Sequence, residues 1–256
     1  MDHDPNSLDE DTVWSMFLEF VERSGPPGSV ESLMSSFRGH VEKIMPNRDA
    51  EEVVALTRRL MGSRPGVWPM IFDRIYSSDH PVFNTEPNRL LAGTIEARPP
   101  GRALDVAMGQ GRNAVFLAEH GWDVTGIDVS EVGIESARLQ AKSKGVELNA
   151  VKADFSSYDM GDASWDLILF TYVPVPITDP DNIHRIERSL VPGGLIVIES
   201  FAWPAPGTAR RPVHVHTDEL RAGFMDFDIL QFDVTDDLPD WSQDPQPVVR
   251  MVAARR

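Results

Sequence analysis

Hydrophobic positions over residues 1–64 recur at helical spacing. Trp14, Phe17, Leu18 and Val21 stand at i, i+3, i+4 and i+7 behind the acidic start Asp9-Glu10-Asp11, which predicts a first helix. Gly25-Pro26-Pro27-Gly28 ends it. A longer stripe follows: Val30, Leu33, Met34, Phe37, Val41, Ile44 and Met45, with Ser29 placed to cap the helix and Pro46 to stop it. Val53, Leu56 and Leu60 mark a third helix that starts near Asn47 or Asp49 and ends at Gly62. These stripes read as packing faces, so residues 1–64 are expected to form an N-terminal helical extension. Exposure of the Trp14 or Phe37 stripe would support a homodimer.

Residues 65–98 form a transition. Trp68, Ile71, Phe72, Ile75 and Tyr76 predict a short amphipathic helix, and His80–Leu91 reads as a loop feeding another helix, with Pro87 near its first turn. Beyond Arg98-Pro99-Pro100-Gly101 the period changes. Strand-like runs at about 102–106, 122–127, 147–151, 165–170 and 194–200 alternate with helical runs at about 111–120, 130–144 and 180–190. Pro192-Gly193-Gly194 makes a tight turn into the fifth strand. A helix near 217–224 and strand-like runs at about 227–234 and 247–254 complete the pattern. Such alternation predicts an α/β fold: a Rossmann-like, doubly wound, mostly parallel sheet, with an antiparallel final strand, over residues 99–256.

The length of 256 residues accommodates one such domain with a helical extension. The net charge of −16 repels phosphate backbones and anionic membrane surfaces, and the basic runs are only pairs such as Arg58-Arg59 and Arg255-Arg256. A nucleic-acid or membrane partner is therefore not expected. With no cysteine there is no disulfide, thiolate metal site or cysteine nucleophile. No run approaches about 18 apolar residues, and Met1-Asp2-His3-Asp4 lacks a basic-then-apolar leader pattern, so a cytoplasmic location is the expectation.

The candidate chemistry lies at the strand ends. Leu104-Asp105-Val106-Ala107-Met108-Gly109-Gln110-Gly111-Arg112-Asn113 reads as strand, glycine turn and helix start. It also satisfies the loose dinucleotide pattern G-x-G-x-x-G/A, which keeps an NAD-dependent oxidoreductase open. A pyrophosphate at a helix N-terminus is disfavoured by a neighbouring carboxylate, however, and Asp105 stands four positions before Gly109. An acid there suits a ligand carrying an ammonium or a sulfonium. Asp128 ends the second strand, where a ribose-binding acid belongs, and Asp154-Phe155 follows the third, offering an acid and a ring to an adenine.

These residues resemble the class I S-adenosylmethionine-dependent methyltransferases, and within them the small-molecule branch that includes the tellurite-resistance and thiopurine methyltransferases. The resemblance covers roughly residues 67–256 and is most specific over Leu104–Asn113 and Gly121–Ser130. Residues 1–64 carry none of it. It implies S-adenosylmethionine as cofactor, held by Asp105, Ala107, Gly109, Gly111, Asn113, Asp128, Val129, Asp154, Phe155 and Phe170, and S-adenosylhomocysteine as product. Ala107 departs from the family's first glycine, which is tolerable if its φ is negative. Asn113 either caps the following helix or touches the ligand carboxylate.

The acceptor side is less defined. Tyr172, in Phe170-Thr171-Tyr172, faces the methyl group or packs with its hydroxyl bonded to backbone. His214 and His216 alternate with valine and point one way if extended; His216 is the candidate base, against a plain solvent-facing loop. Trp203 and His214 are assigned to the substrate side, and by analogy Tyr76, Phe83 and Glu86 to a lid within residues 65–98. No metal site is expected. The expected reaction is methyl transfer to sulfur, selenium, tellurium, nitrogen or oxygen of a small molecule. A non-catalytic binding module on the same fold is the other alternative.

Overall fold

The computed structural model describes residues 9–78, 84–96, 98–203, 214–239 and 245–256. The chain divides into two compact units, Met1–Val82 and Phe83–Arg256, so the division falls inside the 65–98 segment.

The first unit is helical: α1 (Glu10–Arg23), α2 (Val30–Ile44), α3 (Ala50–Ser63), a 3-10 turn (Pro65–Val67) and α4 (Trp68–Tyr76). The caps follow from the sequence. Asp9, Ser29 and Asp49 each accept a backbone N–H of the first turn, and Ser29 and Ser32 form a reciprocal capping pair. Val13, Phe17 and Val21 of α1 and Leu33, Met34, Phe37 and Val41 of α2 are buried, and the Phe17 and Phe37 rings meet edge to face at 5.1 Å. Phe37 has no exposed surface and packs inside this unit, whereas Ile44 of the same stripe is 50% exposed. Trp14 is half-buried with the Arg64 guanidinium 5.3 Å over its ring. Tyr76 ends α4 and stacks on Phe72.

The second unit runs α5 (Arg89–Ile95), β1 (Arg102–Val106), α6 (Arg112–Glu119), β2 (Asp123–Asp128), α7 (Glu131–Lys144), β3 (Asn149–Lys152), β4 (Trp165–Thr171), α8 (Pro180–Ser189), β5 (Leu190–Trp203), β6 (His214–His216), α9 (Thr217–Gly223), β7 (Asp228–Asp237) and β8 (Gln246–Ala254). The sheet order is β3-β2-β1-β4-β5-β8-β7, with β6 also pairing with β5. β1 to β6 pair in parallel; β8 is antiparallel to both β5 and β7.

Alternation along the central strands splits the core in two. Leu104, Val106, Ile168, Phe170, Ile196 and Ile198 pack with Ile183 and Ile186 of α8 and Leu220 of α9. Ala103, Leu167, Leu169, Leu195 and Val197 pack with residues of α5, α6 and α7. A sheet buried on both faces explains why these strands read as continuous apolar runs, each large side chain contributing about 1.5–3 kcal/mol. Two details differ from the sequence reading. β5 begins at Leu190, and Pro192-Gly193-Gly194 sits inside it: Trp165 pairs with Leu190 but Leu167 with Leu195, so the extra residues are accommodated by a register shift. His214–His216 is a strand, not a solvent-facing loop, because it finds β5 residues Phe201–Trp203 to pair with.

The turn from β1 to α6 is wound left-handed: φ is 55° at Ala107, 56° at Gly109 and 86° at Gly111. Ala107 thus does not keep a negative φ; its methyl stands where glycine is at ease. Gly111 is constrained twice, since a Cβ there would lie 2.6 Å from the Ala137 Cβ on α7. Gly111→Ala should therefore destabilise the protein by about 2 kcal/mol or more. Ala107→Gly should stabilise it by about 0.5 kcal/mol, relief of strain outweighing the freer unfolded chain. Urea denaturation of each variant against the parent reads both signs.

Candidate active site

The site gathers at the C-terminal ends of β1, β2 and β4, where a doubly wound sheet opens a crevice. Asp105 is one residue from the end of β1 and is 1% exposed. The Ala114 N–H in the first turn of α6 donates to its carboxylate, yet Oδ2 is buried with no hydrogen-bond partner among the described residues. Burial raises its pKa from 3.8 to about 7; Arg112 pulls it down and the Asp128 charge pushes it up. A carboxylate kept dry with one open oxygen is set to receive a cation.

Asp128, at the end of β2, is likewise buried and latches the loop. Its Oδ2 accepts from the Gly109 N–H and its Oδ1 from the Ser130 N–H, both at 2.8 Å. The Met108 N–H adds a 3.0 Å bond to the Ile127 carbonyl. Val129 is half-buried between Asp128 and Ser130, whose side chain caps α7. Past β3, Asp154 is exposed and closes a turn with the Ser156 N–H at 2.8 Å. Phe155 and Phe170 are buried core, edge to face at 5.3 Å, and the Arg185 guanidinium lies 4.8 Å over the Phe155 ring.

Asn113 does not cap α6. Gly111 is the N-cap of α6, without a side-chain cap bond. The Asn113 amide instead ties elements together: Oδ1 accepts from the Asn88 N–H at 2.9 Å, and Nδ2 donates to Thr171 Oγ1 at 3.1 Å. Arg112 reaches the Glu86 carbonyl at 3.0 Å, which fixes the segment before α5 beside the loop. Phe83 lies outside the described residues.

Tyr172 follows β4 with φ 55° and is 1% exposed. Its hydroxyl donates to Glu199 Oε1 and its N–H to the Glu199 carbonyl, each at 2.8 Å. Beyond Glu199, strand alternation puts Phe201 and Trp203 on the face that carries α5, and their β6 partners are His214 and His216. The rings form a row: Tyr172 to Phe201 at 5.0 Å, Phe201 to His214 at 5.8 Å and Trp203 to His216 at 5.3 Å. The His216 Nδ1 is buried with no hydrogen-bond partner among the described residues. No group of three or more His, Asp or Glu side chains among them could hold a metal ion, and no helix among them is long and apolar enough to cross a membrane.

Glu199, Asn88, Thr171 and Arg250 were not singled out by the sequence reading. Glu199 interrupts the apolar run Leu195–Ile198, and Arg250 interrupts Val248–Ala253. Two lone opposite charges in two apolar strands were the available signal, and they meet at 2.6 Å.

Comparison with known proteins bears on the domain and its fold. A methyltransferase domain family matches residues 103–194. Hemagglutinin 1 of Eikenella corrodens is 28% identical over 148 residues, 54% of this chain and 48% of that protein. A demethylmenaquinone methyltransferase of Thermus thermophilus is 29% identical over 113 residues, 43% of this chain and 51% of that protein. The chain spans about half the length of these curated relatives. Among solved structures, TehB from Haemophilus influenzae superposes with a TM-score of 0.57 at 17% identity, covering 73% of this chain and 67% of that one. The Burkholderia thailandensis 1,6-didemethyltoxoflavin-N1-methyltransferase, with 1,6-didemethyltoxoflavin and S-adenosylhomocysteine bound, gives 0.52 at 22% identity, covering 65% and 77%. At these identities the structural likeness speaks to the fold. Residues 103–194 thus match a methyltransferase domain family, and they lie in a mostly parallel sheet whose fold the Burkholderia enzyme shares.

Proposed function

We propose that this chain moves the methyl group of S-adenosylmethionine to a heteroatom of a small molecule. The observation that carries the reading is the buried Asp105 carboxylate with its unpartnered Oδ2 beside the loop. The donor carries a fixed positive sulfonium and an amino-acid ammonium, and Asp105 supplies the matching anion in a site where water does not screen it. Asp128, buried at the end of β2, is assigned to the ribose hydroxyls, since an acid at that strand tip can accept from them. Asp154, exposed past β3, is assigned to the adenine side.

The transfer is an in-line displacement: the acceptor lone pair forms the new bond to carbon as the carbon–sulfur bond breaks and its electrons neutralise the sulfonium. The sulfonium charge is spread over sulfur, methyl and acceptor along this path and then rests on the acceptor or departs with its proton, so an apolar lining favours the spread-out transition state. The ring row Tyr172, Phe201, Trp203, His214 and His216 supplies such a lining for the acceptor. Tyr172 enters as a wall, since its hydroxyl is committed to Glu199. His216, with Nδ1 unpartnered, is the group placed to take a proton from an acceptor that carries one. The quinone and toxoflavin names of the relatives support a small-molecule acceptor. Glu86, whose carbonyl accepts from Arg112, remains assigned to a lid, which hydrogen exchange with and without cofactor would test.

Titration calorimetry with S-adenosylhomocysteine tests the cofactor. Binding should be present, NADH should give none, and the reverse pattern ends the methyltransferase reading. Affinity should rise from pH 5.5 to about 7 as Asp105 ionises and level off above that. Asp105→Asn should weaken binding and flatten that rise.

The same group gives an apoprotein prediction. Its folded pKa lies above its unfolded value, so between them the folded state holds the extra proton. Its contribution to stability is greatest below pH 3.8 and declines up to about 7. Relative to Asp105→Asn, the parent should lose up to about 4 kcal/mol between pH 4 and pH 8, read from urea denaturation at each pH. A difference that stays constant over that range contradicts the assignment.

A further inference from the structure

Glu199 is 2% exposed and gathers bonds from three directions. Oε1 accepts from Asn88 Nδ2 and from the Tyr172 hydroxyl, each at 2.8 Å. Oε2 accepts from Arg250 Nε at 2.6 Å, and Arg250 is held in turn by Asp237 at 2.8 Å. Burial alone would lower the Arg250 pKa, but its bonds to Glu199 and Asp237 raise it on balance, so the guanidinium is a permanent counter-charge.

These bonds close a circuit. From Glu199 the path runs to the Asn88 side chain, from the Asn88 N–H to Asn113, from Asn113 to Thr171, along the chain to Tyr172, and from Tyr172 back to Glu199. It joins the start of α5, the start of α6, the end of β4 and the middle of β5. Asn113 neighbours Ala114, the residue that donates to Asp105. Tyr172, held by Glu199 through both its N–H and its hydroxyl, sits in the left-handed region, a conformation costing about 1 kcal/mol or more that persists only where the surroundings impose it. An apolar residue in β5 would serve packing as well as a buried ion pair does. What the carboxylate adds is a fixed geometry for two loop ends.

We infer that Glu199 is a positioning residue for the methyl-donor site, setting Asn88, Asn113, Thr171 and Tyr172 in the arrangement that receives the donor and lines the path to the acceptor. The inference rests on the methyl-transfer reading of the same site.

The polarity of the Asn88–Glu199 bond allows a test by reversal. Glu199→Gln sets an amide donor against the Asn88 donor, and Asn88→Asp sets two carboxylates together. The double variant restores one donor and one acceptor, and an aspartate at 88 still accepts from the Leu91 N–H to cap α5. With S-adenosylhomocysteine as probe, each single variant should bind about tenfold or more weakly, and the double variant should recover to within about threefold of the parent. Melting temperatures are measured alongside. Single variants that melt earlier yet bind with parental affinity would reduce Glu199 to a stabilising residue and overturn the inference, as would a double variant no better than the weaker single one. Should Glu199→Gln not fold, Asn88→Asp against the double variant decides between the same two outcomes. A parent protein that binds no S-adenosylhomocysteine removes the methyl-transfer reading, and this inference with it, before any variant is made.

Discussion

The latch between Asp128 and the Gly109 N–H is the interaction on which the rest of the site depends. The chain leaving β1 must turn sharply to start α6, and it does so through three left-handed residues that have little reason to hold that shape alone. A buried carboxylate from the neighbouring strand holds the middle of the turn. Because β1 and β2 pair in parallel register, with Val106 opposite Ile127, the tip of β2 arrives beside the turn without a long connection. The parallel sheet thus brings the acid to the loop, and the loop in turn lets the first turn of α6 reach Asp105.

A second constraint comes from the far side of the site. Glu199, Arg250 and Asp237 form a chain of alternating charge across β5, β8 and β7. The antiparallel insertion of β8 between β5 and β7 is what sets Arg250 opposite Glu199 in register. In an all-parallel continuation of the sheet, β5 would have no such partner on that edge. The final strand pair therefore does more than finish the sheet: it supplies the counter-ion that lets an acid remain buried in the middle strand.

Much of the architecture was legible in the sequence, because the governing signals are local. The alternation of apolar runs with amphipathic ones, the caps at Ser29 and Asp49, and the glycine turn after Asp105 each depend on a few neighbouring residues. Asp105 and Asp128 could be found because strand ends are readable and acids there are few. The less legible features are those set by contacts distant in sequence. His214–His216 is too short to announce itself as a strand and becomes one only beside Phe201–Trp203. Asn113 has the residue type and position of a cap, but its partners are 25 and 58 positions away. The left-handed backbone at Ala107 and Tyr172 runs against the preference of both residue types, so only the surrounding bonds reveal it. Phe37 shows the opposite limit: a helical stripe tells which face is apolar, but not whether that face meets its own unit or another molecule.

The open oxygen of Asp105 has one more consequence. Under the proposed methyl-transfer reading, an acid that keeps its proton to about pH 7 would give it up to an ammonium settling against it. Cofactor loading near neutrality would then liberate hydrogen ions into the buffer, and departure of the spent cofactor would take them back. The measured heat of loading would accordingly depend on which buffer absorbs them, and a modest acidification of the surroundings would leave more of the protein empty without altering a single contact elsewhere.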